Sequence, residues 1–325
     1  MATLPEFRLH RPATAAAAVA LRAGHPGSRF LGGGTDLLPN IRRGLATPEL
    51  LIDLSDVSEL KEFTETAGSL RIGAGVSLAA IAADARVRRL FPGLAQAALA
   101  VAGPTHRVAA TLGGNLCLDT RCQYYNQSEP WRESIDYCLK LEGDTCRVAP
   151  KSARCYAAFS GDVAPALLVL DAAVEILGPA GARRLPIRDF YKDDGMDWLD
   201  LGPDEMLLAV EVPLAEGWSS AYDKLRIRGA VDFPLVGVAV ALKREGGSIA
   251  GLRVACTGVS CRPELIDGLE PLMGKSLDDA DLAVLDKRLL KCTQPMETTV
   301  VSVPYRRRAM PLLARRVLAG LWSDG

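Results

Sequence analysis

Cys122, Cys138, Cys146 and Cys155 are half of the eight cysteines of this 325-residue chain and lie in one polar, aromatic-rich stretch, CQYYNQSEPWRESIDYCLKLEGDTCRVAPKSARC. The intervening segments are 15, 7 and 8 residues long. Four thiols so placed could pair as disulfides, hold zinc, or ligate an iron–sulfur cluster. Disulfides are disfavoured in a reducing cytosol, and structural burial of all four is unusual in a loop this charged. Zinc sites generally draw ligand pairs from tight CxxC-like knuckles, and none occurs here. Iron–sulfur ligation needs soft thiolates and depends less on any one spacing, although ferredoxins also use CxxC runs. Spacing alone therefore leaves zinc and a cluster open.

Two glycine turns form a second constellation: GGGTDL at 32–37 and GGNL at 113–116. Consecutive glycines reach positive φ at little cost and let main-chain N–H groups converge on an anion such as a pyrophosphate. Thr35 and Asn115 add side-chain donors. Neither turn has the GxGxxG spacing of a Rossmann fingerprint. GLEPLMGKS misses a P-loop, since five residues separate Gly268 from Gly274 and Pro271 interrupts them. It reads as a helix end. Nucleophile-elbow and zinc-protease motifs are absent, and His10, His25 and His106 have no metal-ligand spacing.

The elements that must position these residues follow from patterning. RFLGGGTDLLPNIRRG reads as strand, turn and helix, and ELLIDLS as another strand. LRIGAG begins a strand followed by the helical SLAAIAADARVRRL and LAQAALAVAG. After the cysteine loop, APALLVLDAAVEILG resumes an apolar segment and MLLAVEVPL a strand, with a boundary at AEGWSS. YDKLRIR, LVGVAVALKR and IAGLRVACTGV read as strands of one sheet, then helices follow around PELIDGLEPLMG, DDADLAVLDKRLL and RRRAMPLLARRVLAGLW. Strands followed by helices point to a separate α+β domain.

A composition of 49% apolar residues can bury more than one core over this length. The 38 Lys and Arg against 39 Asp and Glu provide no global charge to recruit nucleic acid or an anionic membrane. ATAAAAVALRAG, between Pro12 and Gly24, reads as an amphipathic first helix and not a secretory signal. No run of 18 uncharged apolar residues predicts a membrane span. The expected compartment is cytoplasmic.

The order of LGGGTDLL, IGAGVSLAAI, TLGGNL, SGDVAPALLVLDA, YDKLRIRGAVDFPLVGVAV and PYRRRAMPLLARRVL resembles the FAD-binding medium subunit of the xanthine dehydrogenase family of molybdenum hydroxylases, over nearly the whole chain. The resemblance implies an α+β architecture: a two-lobed FAD-binding domain of the vanillyl-alcohol-oxidase type over 1–216, with lobes at about 1–57 and 58–216, then a smaller α+β C-terminal domain over 217–325. It places Gly32, Gly33, Gly34, Thr35 and Asp36 along the FAD diphosphate, with Arg29, Phe30, Leu31 and Leu37 lining the same loop. Thr111, Gly113, Gly114 and Asn115 would form a second cradle. Asp162 would accept a cofactor hydrogen bond, and Lys224 would stand beside the isoalloxazine, where a cation stabilises the anionic reduced flavin.

Most relatives run almost directly from GGNL into SGDVAPAL, whereas this chain carries an insertion over about 117–159. At about 3.5 Å per extended residue, seven-residue tethers hold Cys122 and Cys155 within roughly 25 Å of Asn115 and Asp162. A redox centre beside a flavin has a use there. The loop resembles that of the flavin subunits of 4-hydroxybenzoyl-CoA reductases, which implies a [4Fe–4S] cluster on Cys122, Cys138, Cys146 and Cys155. That resemblance further implies reductive dehydroxylation of 4-hydroxybenzoyl-CoA with reduced ferredoxin as donor, a large molybdenum-cofactor subunit, a small subunit with two [2Fe–2S] clusters, and a dimer of heterotrimers. An aldehyde or xanthine-type dehydrogenase running oxidatively is the alternative, and a zinc-stapled interaction module the alternative from another class. Cys117, Cys256, Cys261 and Cys292 read as small core or surface residues. Five basic and five acidic side chains between 122 and 155 mark no one-sided field for a ferredoxin dock.

Overall fold

The computed structural model describes residues 4–278, 280–297 and 301–323. Three short parallel strands, β1 (Arg8–His10), β2 (Arg29–Leu31) and β3 (Leu50–Asp53), form the first sheet in the order β1-β3-β2. β3 is central and buried throughout, which its run Leu50, Leu51, Ile52 requires. The helix Ala15–Gly24 packs Ala15, Ala18 and Val19 inward, at helical spacing, and Thr14 caps it by accepting the Ala17 N–H at 3.2 Å.

A second, antiparallel sheet runs β4-β5-β8-β6-β7, from β4 (Phe63–Glu65), β5 (Ser69–Gly73), β6 (Ala173–Gly178), β7 (Gly181–Pro186) and β8 (Met206–Pro213). Short helices fill the interval after β5, begun by Ser77 and Asp84 caps and by Pro92 and Pro104 at first-turn positions. The wholly buried helix Val163–Val169 returns the chain to β6.

The third sheet, antiparallel in the order β12-β11-β10-β9, comprises β9 (Trp218–Leu225), β10 (Val236–Glu245), β11 (Ser248–Thr257) and β12 (Glu264–Leu265). Its two faces differ by residue size. Val236, Val238, Val240 and Leu242 join a core with the helices Ala283–Cys292 and Val303–Ser323. Ala239, Ala241 and Ala255 face the opposite way, into the core of the first two sheets. Each large apolar residue contributes about 1.5–3 kcal/mol on full burial, while the alanines let Val163–Val169 approach β10 and β11. The sheet is thus packed on both faces, and the boundary expected near 216 falls two residues before β9 across a shared core.

PELIDGLEPLMG is not the helix its apolar spacing predicts. It holds β12 and one 3-10 turn, Glu270–Leu272, because Gly268 takes φ +77° and Pro271 cannot continue a helix from within. No described helix is long and apolar enough to cross a membrane.

Candidate functional site

β2 ends at Leu31, and the turn Gly32–Asp36 leads into the helix Leu37–Arg42. Gly34 takes φ +70°. A Cβ on Gly33 would stand 1.8 Å from the Ala109 carbonyl oxygen, and one on Gly32 would stand 3.0 Å from Thr111 Oγ1. The first glycine turn therefore lies directly against the start of the second. Among the described residues, the main-chain N–H groups of Gly33, Gly34, Thr35 and Asp36 have no protein acceptor. Gly32, Gly33 and Thr35 are exposed, so this turn presents free donors to a ligand such as a diphosphate. Arg29 is exposed beside it, with Phe30, Leu31 and Leu37 half-buried.

The second turn differs. It forms a short helical segment, Leu112–Leu116, whose N–H groups are already committed: Leu112 to Val76 O, Gly113 to Ala74 O at 2.7 Å, Gly114 to Thr111 Oγ1 and Asn115 to Thr111 O. A Cβ on Gly113 would press to 2.9 Å from that of Ala74, so glycine serves close packing here. What this turn offers a ligand is side chains, the Thr111 hydroxyl and the Asn115 amide. Asn115 Oδ1 also accepts the Val163 N–H at 3.1 Å, bracing the helix that follows Asp162.

Asp162 and Lys224 meet as a buried ion pair, Nζ to Oδ1 at 2.9 Å. Tyr222 donates its hydroxyl to Asp162 at 2.6 Å, and Lys224 also donates to the Asp232 carbonyl oxygen at 3.0 Å. Burial pushes the Asp162 carboxyl up and the Lys224 ammonium down, each opposed by its partner's charge. Tyr222 is a member of this group that sequence reasoning did not single out.

The cysteine segment is closed at its neck by reciprocal bonds, Arg121 N–H to Ala158 O and Ala158 N–H to Arg121 O, at 2.9 and 2.8 Å. Inside, Asp136, Tyr137 and Glu142 occupy the left-handed region at φ 55°, 56° and 62°. Such conformations persist only where the surroundings determine them. Here Arg147 donates to the Tyr137 carbonyl at 3.0 Å and to that of Ile135. Leu141 and Gly143 N–H groups close on Cys138 O, where a Cβ on Gly143 would meet Cys138 N at 2.8 Å. Arg132, 1% exposed, anchors the loop to the stretch between the helix Leu37–Arg42 and β3 through Gly44 O at 3.3 Å and pairs with Glu129.

Cys122, Cys138, Cys146 and Cys155 are all buried, all free, and line one small cavity that is partly open to solvent. Lys140 and Arg147 share its wall. Tyr125 N–H donates to Cys122 Sγ at 3.3 Å and Ala157 N–H to Cys155 Sγ at 3.4 Å. Burial pushes the Cys155 thiol up to about 12 and raises Cys122, with the Lys140 charge opposing both. Four buried cysteines lining one cavity, two of whose sulfurs already receive N–H donors, have the donor chemistry of a thiolate-ligated centre. Among the described residues, no three His, Cys, Asp or Glu side chains surround a common point as one metal ion requires.

The loop and the glycine turn are joined directly. Arg121, next to Cys122, reaches Asp36 at 3.3 Å. Burial raises the Asp36 acid, Arg121 holds it down, and Asn40 donates to it at 2.8 Å. The segment 192–198 covers the other side: Asp194 Oδ1 accepts the Cys155 N–H at 3.2 Å, and Gly195 N–H donates to Cys155 O at 2.9 Å. Cys261, also buried, donates to the same carbonyl at 3.2 Å. The even charge count of the loop conceals a sorting. Glu129, Glu133, Asp136, Glu142 and Asp144 are all exposed against one exposed basic residue, Lys151, while Arg132 and Lys140 are turned inward, so the exposed charge of the loop is mostly acidic.

Residues 5–215 match the FAD binding domain in molybdopterin dehydrogenase, and residues 220–321 the CO dehydrogenase flavoprotein C-terminal domain. The chain is 34% identical over 308 residues to the aldehyde oxidoreductase FAD-binding subunit PaoB of Escherichia coli (strain K12), covering 92% of each. It is 28% identical to the carbon monoxide dehydrogenase medium chain of Afipia carboxidovorans over 96% of this chain and 95% of that one. The solved structure of reconstituted CO dehydrogenase from Oligotropha carboxidovorans superposes with a TM-score of 0.82 at 25% identity, over 99% of this chain and all of that one.

Proposed function

Since this chain belongs to the family of FAD-binding domains of molybdopterin dehydrogenases, we propose that it is the electron-transfer flavoprotein subunit of an aldehyde-oxidising molybdenum enzyme, with an additional [4Fe–4S] cluster on Cys122, Cys138, Cys146 and Cys155. The observation that carries the reading is the convergence of four buried thiols on one cavity, in a loop whose neck residue Arg121 is paired to Asp36 of the glycine turn. A single structural zinc needs its sulfurs about 2.3 Å from one point. Four soft thiolate donors suit a cluster, and a redox centre has a use beside a flavin that a zinc staple lacks.

The chain's own residues divide the work. The free N–H groups of 33–36 would receive the FAD diphosphate, with Thr111 and Asn115 contributing side chains from the second turn. Lys224, held by Asp162 and the Asp232 carbonyl, would place a fixed cation at the isoalloxazine. When bound, FAD supplies exchange between two-electron and one-electron carriers, and a [4Fe–4S] cluster supplies one-electron relay. Substrate chemistry belongs to a large molybdenum-cofactor subunit, reached through a small subunit with two [2Fe–2S] clusters.

Oxidative aldehyde turnover is supported by the 34% identity to an aldehyde oxidoreductase subunit over 92% of each chain. Reductive dehydroxylation of 4-hydroxybenzoyl-CoA, with ferredoxin as donor, rests on the loop alone. Anaerobic mixing of the purified complex with an aromatic aldehyde tests the choice. Bleaching of the flavin band is expected; a flavin that aldehyde leaves oxidised, in a complex that dehydroxylates 4-hydroxybenzoyl-CoA from a low-potential donor, would reverse it.

A further inference from the structure

Lys140 stands two residues after Cys138, where a lysine ordinarily points to solvent, yet its side chain is only 7% exposed. Its ammonium donates to Asp119 Oδ1 at 2.7 Å, to Thr120 O at 3.0 Å and to Gly195 O at 2.8 Å, and also to the Thr120 hydroxyl. The Trp198 ring lies 4.7 Å away and that of Tyr125 5.0 Å. Both the charge and the stem are therefore fixed; Lys140 is among the residues that line the four-thiol cavity, and its charge acts on Cys122 and Cys155. Arg147, the other cation in that wall, has its guanidinium turned to the carbonyls of Ile135 and Tyr137.

Resting on the cluster reading above, we propose that Lys140 is a positioning residue that sets the redox balance of the four-thiol centre, its buried cation favouring the reduced state. One-electron reduction, with the electron supplied by the flavin of the same chain, adds one negative charge inside the cavity. A fixed cation in the wall stabilises that state more than the oxidised one. The Asp119 carboxylate, 23% exposed, opposes it with the other sign. A purely structural latch between Thr120 and Gly195 would hold the loop without this sign dependence.

The test is a redox titration of the centre in the purified complex, followed by low-temperature electron paramagnetic resonance, with iron and acid-labile sulfide measured on the same samples. Lys140→Met should move the reduction equilibrium at least about tenfold toward the oxidised form, roughly 59 mV lower for one electron. Asp119→Asn should move it the opposite way, and Lys140→Arg should restore it to within about threefold of wild type. An unchanged potential in Lys140→Met with full iron overturns the proposal, as does a shift of the same sign in Lys140→Met and Asp119→Asn. If Lys140→Met loses its iron, Asp119→Asn decides, and an unaltered potential there refutes the electrostatic role. A wild type without iron or sulfide sinks the cluster reading itself and this proposal with it.

Discussion

Replacing Gly33 by alanine tests the glycine turn through a collision with main chain. The added Cβ would lie 1.8 Å from the Ala109 carbonyl oxygen and 2.4 Å from its carbon. Reaching even a tight 3.0 Å contact requires the two turns to part by roughly 1.2 Å, and neither obstacle is a side chain that could rotate away. Overpacking of this kind costs about 1–3 kcal/mol. If that cost falls on the geometry that binds FAD, the dissociation constant rises roughly 5- to 150-fold. The assay is flavin per chain after gel filtration, together with FAD titration of the flavin-stripped protein. Gly68→Ala is the matched control, since its Cβ meets nothing within 4 Å. Full flavin retention by Gly33→Ala at wild-type affinity would refute the assignment of this turn to the diphosphate.

Cys138→Ser should lower iron and sulfide while FAD remains, whereas Cys256→Ser, which alters a thiol buried in the C-terminal core, should leave iron unchanged by chemical analysis. Asp162→Asn strands the Lys224 charge in a buried site and should cost about 3–5 kcal/mol, measured by denaturant unfolding. Arg306, buried and held below the usual arginine range at about 10, donates to the carbonyls of Leu235, Met296 and Gly258. Arg306→Met should leave three acceptors unsatisfied and lower the melting temperature without touching flavin content. Glu205 is held below its ordinary 4.5 by its hydrogen bond from Arg183, so its contribution is present above that value and lost as pH falls through the depressed one. Glu205→Gln should flatten the acid limb of a melting-temperature profile below about pH 4.5, while an unchanged limb would remove Glu205 from the account.

The legible parts of the fold were those whose signal is local. Gly32–Gly34 between the short strand Arg29–Leu31 and a helical run could be read as strand, turn and helix, because φ freedom and periodicity act within a few residues. PELIDGLEPLMG misled because its leucines have helical spacing while Gly268 and Pro271 override it. The second glycine turn looked like another cradle, but two of its donors are taken by Ala74 and Val76, acceptors some 35–40 residues away in sequence, and the other two by Thr111. Convergence of the cysteines could be expected only from family resemblance, since gaps of 15, 7 and 8 residues impose no geometry. Lys140 and Gly195, 55 residues apart, carry no sequence signal of their meeting. Nor could a count of loop charges show that Arg132 and Lys140 face inward.

The central claim is that the inserted loop holds an electron carrier beside the flavin site, and metal and flavin analysis of the intact complex tests it most directly. Wild type should exceed the Cys138→Ser complex by about four irons and four acid-labile sulfides per chain, with equal FAD in both. Stoichiometric zinc in wild type, or identical iron in the two complexes, would contradict it.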